Sequence, residues 1–493
     1  MFNGDYSKEL PQSQQNKLIS RYRFQIFGYF VVFLVYLLTH LINLIEYPAF
    51  STDEMFYVSK AICWEENGIP CVRGWGGVIW PEYTNPATLS WLLIILFGVF
   101  GTSPFVLRSF MLAIGLFNLL FVFLIGRQLE ESETPWRGFW IGIIAGLVLA
   151  LDQELVFFSR IGYLDNPMNL CLTIFLYLYL KYLKTDNLKF AWLAGLAAGL
   201  SLWFKLSAFF ILIGLGIFFV VTRQIDGVLR VQAMMAFFVA LYVQWGLSID
   251  PIAFANGTVY QITKNYDANP VHFWTNVVYG DYIRMLILFS LFIPVFFYRN
   301  QETIFYKGSL LVFSLFIGAV VFFSLTRSLF NYYFAGFASY YSILFAISIF
   351  IAFDIGKSLY YELLQISGSI PRFQNFIKQQ IRVAIILALF FTLFLGYHKN
   401  AIPIKSRYPP EYLNFENQEY LDIISYVRQN ISEGETIIAP IEIGPWLNGS
   451  GYSVWNTWLN ASTPDWVVRE YIQDYLPSYL ILHIDYLYIS QGL

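Results

Sequence analysis

Charge is scarce in this chain of 493 residues. Asp, Glu, Lys and Arg together make up 13% of it and hydrophobic residues make up 57%, whereas a soluble domain carries about 25% charged residues. The mean hydropathy is +0.55, and apolar runs of about 18 residues or more recur along the chain. These features predict a polytopic membrane protein, and the net charge of −3 argues against a nucleic-acid partner.

The motifs of several enzyme classes are also lacking. The chain has four histidines and no His-x-x-x-His pair, which argues against a zinc hydrolase. It has no Gly-x-Ser-x-Gly elbow and no Walker A loop. Residues 1–20 are polar and contain no apolar core, so we predict no cleavable signal peptide.

Cysteine is rare, with three residues in the chain. Cys171 lies in an apolar run and is predicted to be a buried thiol. Cys63 and Cys71 share the loop that follows the first hydrophobic segment. Their spacing permits a disulfide without requiring one, and an oxidising compartment would favour it. Both states of this pair remain open from the sequence.

Hydropathy predicts an all-α polytopic membrane protein with about eleven transmembrane helices. The cytoplasmic N-terminus is residues 1–23 and the transmembrane domain is residues 24–397. Lysines and arginines before the first span and in alternate loops fall on one side, which the positive-inside rule makes cytoplasmic. The spans are residues 24–45, 105–126, 138–158, 167–183, 189–204, 206–222, 232–249, 282–298, 308–325, 329–353 and 381–397.

A further apolar segment, from Asn85 to Gly101, is too short for an ordinary span at about 14 apolar residues. We predict that it is a re-entrant or interfacial helix, since a crossing here would turn the later positive loops outward. This choice places the first outer loop, residues 46–104, on the extracytoplasmic face. The other outer segments are then residues 160–166, Lys205, residues 250–281, Arg327 and the C-terminal tail.

The tail, residues 398–493, regains charge and proline. Residues 417–430 have helical periodicity, and residues 435–440 and 478–488 have the pattern of strands. We therefore predict a small extracytoplasmic α/β domain after the transmembrane part.

The most informative polar residues are the adjacent acids Asp53 and Glu54, which follow the first span beside aromatics such as Tyr57. Ionisable residues at a membrane surface mark functional sites more often than average loop acids do. The competing interpretation, that both acids are loop charges facing water, has about equal weight.

Three further outer segments carry polar and aromatic residues. Arg160, Tyr163 and Asp165 share one short loop, and the alternative there is an arginine paired with Asp165. Lys205 is a lone cation between two apolar helices, and the alternative is a snorkelling lysine. A late segment could equally be an aromatic-belt turn, and it carries Arg327, Tyr332 and Tyr333.

Carboxylates and cations that converge on one membrane face suggest group transfer from a lipid-phosphate donor. A carboxylate can accept the proton of an acceptor hydroxyl. Cations can neutralise the leaving phosphate. A membrane groove can hold an isoprenoid tail, and no nucleotide loop is needed because the sugar arrives already activated.

The order of these motifs resembles the membrane glycosyltransferases of the GT-C fold, in the branch with protein O-mannosyltransferases (family 39) and lipid A aminoarabinose transferases. The motifs are the Asp-Glu loop, the Pro-led apolar stretch, Arg-x4-Asp, Gly-x5-Lys and a late aromatic span, which together cover about residues 25–350. Two features depart from the family. Many relatives have His-Pro-Pro where this chain has Asn85-Pro86-Ala87, and the tail is short, which favours a bacterial-type enzyme.

The resemblance implies a polyprenyl-phosphate sugar donor and an inverting displacement. Asp53 would be the general base, Glu54 would support it or bind the acceptor, and Asp165 would orient the acceptor or the sugar. The cations would contact the donor phosphate, and a divalent metal ion between Asp53 and Asp165 stays open. The substrate-binding candidates are the cations Arg160, Lys205 and Arg327 and the tyrosines Tyr57, Tyr163, Tyr332 and Tyr333.

The predicted partners are the lipid bilayer, the lipid-linked donor and an envelope lipid, glycan or protein as acceptor. The predicted location is a bacterial-type plasma membrane with the site on the outer face. Two other functions compete: a transporter or flippase of a polyprenyl-linked glycan, and a structural subunit of an envelope-synthesis complex. A transporter places its key charges near the bilayer midplane, whereas these lie at one surface.

Overall fold

The structure is a computed structural model. It describes residues 12–42, 44–45, 51–73, 79–83, 85–130, 136–263, 303–326, 331–351, 417–440, 443–448, 453–457 and 479–480. The predicted spans over residues 282–298 and 381–397, and Arg327, lie outside the described residues.

Helices dominate the part of the chain that carries the motifs. In chain order they are α1 (Gln12–Leu41), α2 (Thr52–Asn67), α3 (Thr88–Phe100), α4 (Pro104–Gln128), α5 (Arg137–Leu151), α6 (Gln153–Arg160), α7 (Asp165–Thr185), α8 (Leu188–Phe204), α9 (Phe210–Thr222), α10 (Ile225–Ile249), α11 (Pro251–Thr263) and α12 (Ile304–Thr326). An apolar helix, α13 (Ala335–Ile351), follows and starts within a 3-10 helix over Asn331–Phe337.

Four of the described helices are long and apolar enough to cross a membrane: Tyr22–Leu41, Pro104–Gln128, Ile225–Ile249 and Ile304–Leu325. Shorter apolar helices include α5, α8 and α13, and α5 packs on α4 while α8 packs on α10. The segment that was too short for a span forms α3, a helix of 13 residues. Its helical state matches the prediction, and its interfacial location stays a prediction.

The predicted span over residues 138–158 is two helices, α5 and α6, because Asp152 ends one and begins the other. Asp152 leaves the helical conformation with φ −69° and ψ 116°. Its Oδ1 accepts a hydrogen bond from the Leu155 N–H at 3.3 Å, and its carbonyl accepts one from the Val156 N–H at 2.8 Å. An aspartate at this position supplies an N-cap, which the hydropathy of the segment concealed.

Helix pairs approach closely where glycines face each other. A Cβ at Gly126 of α4 or at Gly138 of α5 would overlap the backbone of the other helix. Gly214 of α9 and Gly318 of α12 meet in the same way. Small residues permit this close van der Waals packing of membrane helices, and a continuous buried cluster runs through all the long helices.

The outer loop and the tail contain the strands. In the loop, β1 (Cys71–Arg73) and β2 (Ile79–Pro81) form an antiparallel hairpin. In the tail, α14 (Asn417–Asn430) has the predicted bounds, and α15 (Gly444–Asn448) follows the first strand. The tail strands are β3 (Thr436–Pro440), β4 (Ser453–Thr457) and β5 (Tyr479–Leu480), which form a parallel sheet in the order β4-β3-β5.

Candidate active site on the first outer loop

The first turn of α2 presents the two acids to different surroundings. The Ser51 hydroxyl accepts a hydrogen bond from the Glu54 N–H at 3.1 Å and caps the helix. Asp53 is half-buried and Glu54 is fully buried. Residues spaced by three or four positions share a helix face, so Asp53 and Tyr57 lie on one side of α2 while Glu54 is turned about 100° away.

Glu54 holds a fully buried ion pair with Arg108 of α4. The Arg108 Nη2 lies 3.1 Å from Glu54 Oε2, and the Arg108 Nε donates to Oε1 at 3.4 Å. Glu54 Oε1 also accepts a hydrogen bond from the Gly162 N–H at 3.0 Å. Glu54 therefore ties the first outer loop to the loop that carries Tyr163 and Asp165.

None of the sequence motifs includes Arg108, although an arginine inside a long apolar span is itself a signal of a functional or structural site. Its Nη1 donates to the carbonyls of Leu44 and Ile45, both at 3.1 Å. These carbonyls follow the end of α1, where intrahelical partners are lacking. Arg108 thus joins α1, α2 and α4 at the outer end of the bundle.

Arg160 is directed to the same end of α1. Its Nη2 donates to the carbonyl of Thr39 and, at 2.8 Å, to the carbonyl of Ile42. The side chain is buried. A contact of Arg160 with a donor phosphate stays a prediction.

Asp165 and Lys205 form the second ion pair of the site. The Lys205 Nζ lies 2.6 Å from Asp165 Oδ2, and it also lies 4.0 Å from the centre of the Tyr333 ring. Lys205 occupies the break between α8 and the 3-10 helix Leu206–Phe209, with φ −154° and ψ 128°. This break turns its side chain toward the start of α7, and the side chain remains 13% exposed.

Asp165 keeps one unused acceptor. Its side chain is 1% exposed, and Oδ1 has no hydrogen-bond partner among the residues whose placement the structure gives. A Cβ added to Gly336 would lie 3.1 Å from this oxygen. Buried carboxylate oxygens are normally hydrogen-bonded, so this oxygen keeps an unused acceptor position.

Two tyrosines complete the cluster. Burial raises the pKa of the Tyr57 hydroxyl, and the nearby charges of Asp53 and Asp165 raise it further. Burial and Asp53 likewise raise the pKa of Tyr163, whose hydroxyl is hydrogen-bonded to Ser51. Both phenols therefore stay neutral at physiological pH and can donate hydrogen bonds. The structure thus brings together the predicted residues Asp53, Tyr57, Tyr163, Asp165, Lys205 and Tyr333.

Two predicted residues cannot be placed in this cluster. Arg327 lies outside the described residues, as stated above. Tyr332 belongs to the 3-10 helix over Asn331–Phe337, which also supplies Tyr333. The contacts of Arg327 and Tyr332 with a substrate stay predictions.

A metal ion fits these residues poorly. Within the described ranges, no group of three or more His, Cys, Asp or Glu side chains is arranged to hold one. The Lys205 ammonium already occupies Oδ2 of Asp165. Because a cation stands at this carboxylate, a metal ion between Asp53 and Asp165 would meet like charge.

Cys63 and Cys71 form a disulfide between α2 and β1. The bond joins the end of the helix that carries Asp53 to the hairpin of the same loop. The sequence left both the bonded and the free state of these two cysteines open, and the structure has the bonded one.

The described helices also form an apolar groove of about 990 Å³. It lies between α10 and the segment that begins just after Lys205, and Phe209 is its residue nearest to Lys205 in sequence. Its principal apolar lining residues are Phe209, Leu212, Met235, Val239, Val243 and Leu247.

Comparison with known proteins places this geometry in a family context. Residues 84–245 match the family model of dolichyl-phosphate-mannose-protein mannosyltransferases. An uncharacterised protein from Aquifex aeolicus (strain VF5) is 22% identical over 205 residues, which are 41% of this chain and 40% of that protein. This match therefore covers less than half of either chain.

Solved structures match over much more of the chain. ArnT from Cupriavidus metallidurans, solved with bound undecaprenyl phosphate, has a TM-score of 0.57 at 15% identity and covers 85% of each chain. The archaeal oligosaccharyltransferase AglB from Archaeoglobus fulgidus, solved with an inhibitory peptide and a dolichol-phosphate, has a TM-score of 0.52 at 13% identity. That match covers 88% of this chain and 65% of AglB.

These likenesses confirm the predicted fold class and the resemblance drawn from the motifs. The helix count and the role of the tail stay predictions. The described helices have the polytopic GT-C fold, and the chain is similar to the family 39 membrane glycosyltransferases.

Proposed function

We propose that this protein is an inverting glycosyltransferase that moves a sugar from a polyprenyl-phosphate donor to an acceptor hydroxyl or phosphate. The observation that carries the proposal is the Asp165–Lys205 pair held beside Asp53 and Tyr57. The half-buried Asp53 carboxylate and the partly exposed Lys205 ammonium thus lie at the same end of the bundle. The lipid phosphates bound to ArnT and AglB support a donor of this class.

Asp53 is the general base in this proposal. Its carboxylate takes the proton of the acceptor hydroxyl as the acceptor oxygen bonds to the anomeric carbon. The bond between that carbon and the phosphate oxygen breaks at the same time, and polyprenyl phosphate leaves with the bonding electrons. General-base catalysis of this kind contributes about 10²–10⁴-fold to a rate.

Lys205 stabilises the phosphate as negative charge develops on it. An ammonium placed in advance at the leaving group acts without reorganisation. Tyr333 beneath the ammonium and Asp165 beside it fix its position, and Asp165 Oδ1 is free to orient a sugar or acceptor hydroxyl. The apolar groove between α10 and the segment of residues 209–212 suits the isoprenoid chain, whose apolar surface would otherwise lie in water or lipid headgroups.

Glu54 acts as a positioning residue. Its oxygens are occupied by Arg108 and by the Gly162 N–H, so it sets the distance between the loop of Asp53 and the loop of Asp165. The Cys63–Cys71 disulfide supports an outer-face site, because structural disulfides persist in oxidising compartments.

The test is sugar transfer by the purified protein from a radiolabelled polyprenyl-phosphate hexose to crude envelope extract. Asp53→Asn should abolish transfer and leave donor binding intact. Asp186→Asn is the matched control, since Asp186 is exposed at the far end of α7. Near-normal transfer by Asp53→Asn would remove Asp53 as the base, and donor binding without transfer by the wild type would favour a flippase.

A further inference from the structure

A small cavity lies inside the helix bundle, in a region that the proposed reaction does not use. Its volume is about 30 Å³, and residues of α1, α4, α5, α6, α7 and α13 line it. Two of these helices, α1 and α4, are long and apolar enough to cross a membrane. The polar side chains that line the cavity are Tyr36, Asn118, Ser159, Asn166 and Asn169. At membrane depth such groups must find hydrogen-bond partners inside the protein.

Two of these asparagines bring unpaired donors to the cavity. The Ser339 hydroxyl of α13 donates to Asn118 Oδ1 at 3.0 Å, and the Ser339 N–H donates to Asn169 Oδ1 at 3.4 Å. These bonds occupy the amide oxygens, and the amide nitrogens of both asparagines have no acceptor among the residues that the structure describes. Each nitrogen carries two N–H groups. A buried amide donor without a partner costs free energy, so a ligand that accepts hydrogen bonds would be stabilised here.

Hydroxyl groups of α1 and α6 line the same cavity. The Tyr36 hydroxyl lies over Gly115, where an added Cβ would overlap it, and it is hydrogen-bonded to Ser159. The Ser159 hydroxyl donates to the carbonyl of Val156 at 3.0 Å and lies 2.9 Å from Nε2 of His40. The Tyr36 oxygen can accept a further hydrogen bond, because a hydroxyl oxygen has two lone pairs. The cavity therefore combines amide donors with a hydroxyl acceptor.

The cavity adjoins the loop that carries Asp165. Asn166 Nδ2 donates to the carbonyl of Ile161 at 2.8 Å and so fastens this loop to the start of α7. Asn169 follows Asp165 by four residues, about one helical turn. Gly336 stands between two alanines that line the cavity, and a Cβ added to it would lie 3.1 Å from Asp165 Oδ1. The residues that line the cavity are therefore neighbours of those that hold Asp165 in place.

We propose that this cavity is a buried water site whose water holds the loop of Asp165 in place. A buried water needs about 10–15 Å³ and two to four polar partners, so the volume admits about two molecules. They accept hydrogen bonds from the amide N–H groups of Asn118 and Asn169, and they donate to the hydroxyl oxygen of Tyr36. The water thereby links α4 and α7 to α1. The proposed function enters only through the role that it gives to Asp165.

The test locates this water by radiolysis. X-ray irradiation of the purified protein in water that carries a heavy oxygen isotope forms hydroxyl radicals, which oxidise side chains next to a bound water. Met111 is 0% exposed and lines the cavity, whereas Met55 is 0% exposed and lies in α2, outside that lining. Mass spectrometry of peptides should find the heavy isotope on Met111 and none on Met55. Equal labelling of the two methionines in the folded wild type would overturn the water site.

Two variants change the cavity in different ways. Asn118→Leu keeps the size of the side chain and removes its amide, while Ala338→Val fills part of the volume and leaves both amides in place. Each should lower the labelling of Met111 to that of Met55. Asn256→Leu is the matched control and should label as the wild type does, since Asn256 is exposed on α11. Thermal unfolding verifies that each variant is folded. Should Asn118→Leu fail to fold, Ala338→Val decides, and unchanged labelling of Met111 in it would contradict water at this place.

Sugar transfer separates a positioning role of this water from a purely structural one. Asn118→Leu should lower kcat by about 10²-fold, the usual effect of a displacement of about 1 Å at a reacting centre, and should weaken donor binding less. A kcat equal to that of the wild type, with the labelling of Met111 lost, would overturn the positioning role. Because the labelling involves no transfer, failure of transfer by the wild type would overturn the proposed function alone.

Discussion

At the scale of single residues, two adjacent acids have different tasks because a helix turns about 100° per residue. Asp53 faces the tyrosines and the Asp165–Lys205 pair, whereas Glu54 points into the bundle to Arg108 and Gly162. The sequence could rank both as site residues but could not separate them. Their partners come from α4 and from the loop before α7, more than fifty residues away.

Glu54→Gln should destabilise the protein by about 3–5 kcal/mol, because it leaves the buried Arg108 guanidinium without its counter-charge. Thermal unfolding in detergent measures the loss. Adding Arg108→Met to Glu54→Gln should restore part of the stability, since it removes the unpaired charge. A double variant no more stable than Glu54→Gln would contradict an ion pair as the cause.

Lys205→Met should lower kcat/KM for the lipid donor by about 10²–10³-fold, the usual effect of removing one group that stabilises developing charge. Lys205→Arg should retain more activity because it keeps the charge beside Asp165. Initial rates at varied donor concentration separate kcat from KM. Unchanged kinetics in Lys205→Met would return Lys205 to the role of a lysine at the membrane surface.

At the scale of elements, helix breaks and close helix contacts position the site. Asp152 separates α5 from α6, and the break at Lys205 separates α8 from the 3-10 helix that follows. Both breaks lie between apolar segments, and hydropathy joined α5 and α6 into one predicted span because the polar stretch between them is short. At the first break the local signal is Asp152, whose short side chain caps the next helix.

Gly126→Ala should destabilise the α4–α5 contact by about 1–3 kcal/mol, the usual cost of overpacking, because the added Cβ meets the backbone of Gly138 and Gly142. Gly216→Ala is the matched control: nothing lies within 4 Å of a Cβ built there, and alanine favours a helix over glycine. Thermal unfolding of the two variants should therefore shift in opposite directions. Equal shifts would show that α4 and α5 tolerate a wider separation.

At the scale of the whole molecule, the helix bundle brings loops that are distant in sequence together at one of its ends. α2 packs on α3, α7 follows α6 into the same cluster, and α15 of the tail contacts α2. The carboxyl end of β3 leads into α15, so the tail and the first outer loop meet at the helix that carries Asp53. The shared GT-C fold over 85% of the chain accounts for this convergence.

The Cys63–Cys71 disulfide allows a test of the side of the membrane on which this end lies, because disulfides persist in oxidising compartments. Alkylation of the unreduced protein, extracted directly into the alkylating reagent, should modify Cys171 after unfolding and leave Cys63 and Cys71 unmodified. Mass spectrometry counts the modified cysteines, and reduction beforehand should raise the count from one to three. Three modified cysteines without reduction would place the loop in a reducing compartment.

The amino-acid sequence by itself determined the membrane class, the helical fold and the short α3, because hydropathy and segment length are local properties of the chain. Its motif order also led to Asp53, Asp165 and Lys205. Only the tertiary structure decided that Lys205 pairs with Asp165, that Arg160 and Arg108 hold the end of α1, and that Cys63 and Cys71 are joined. Such pairings depend on which helices are neighbours, and the free energy of burying a charge selects a partner that no local pattern specifies.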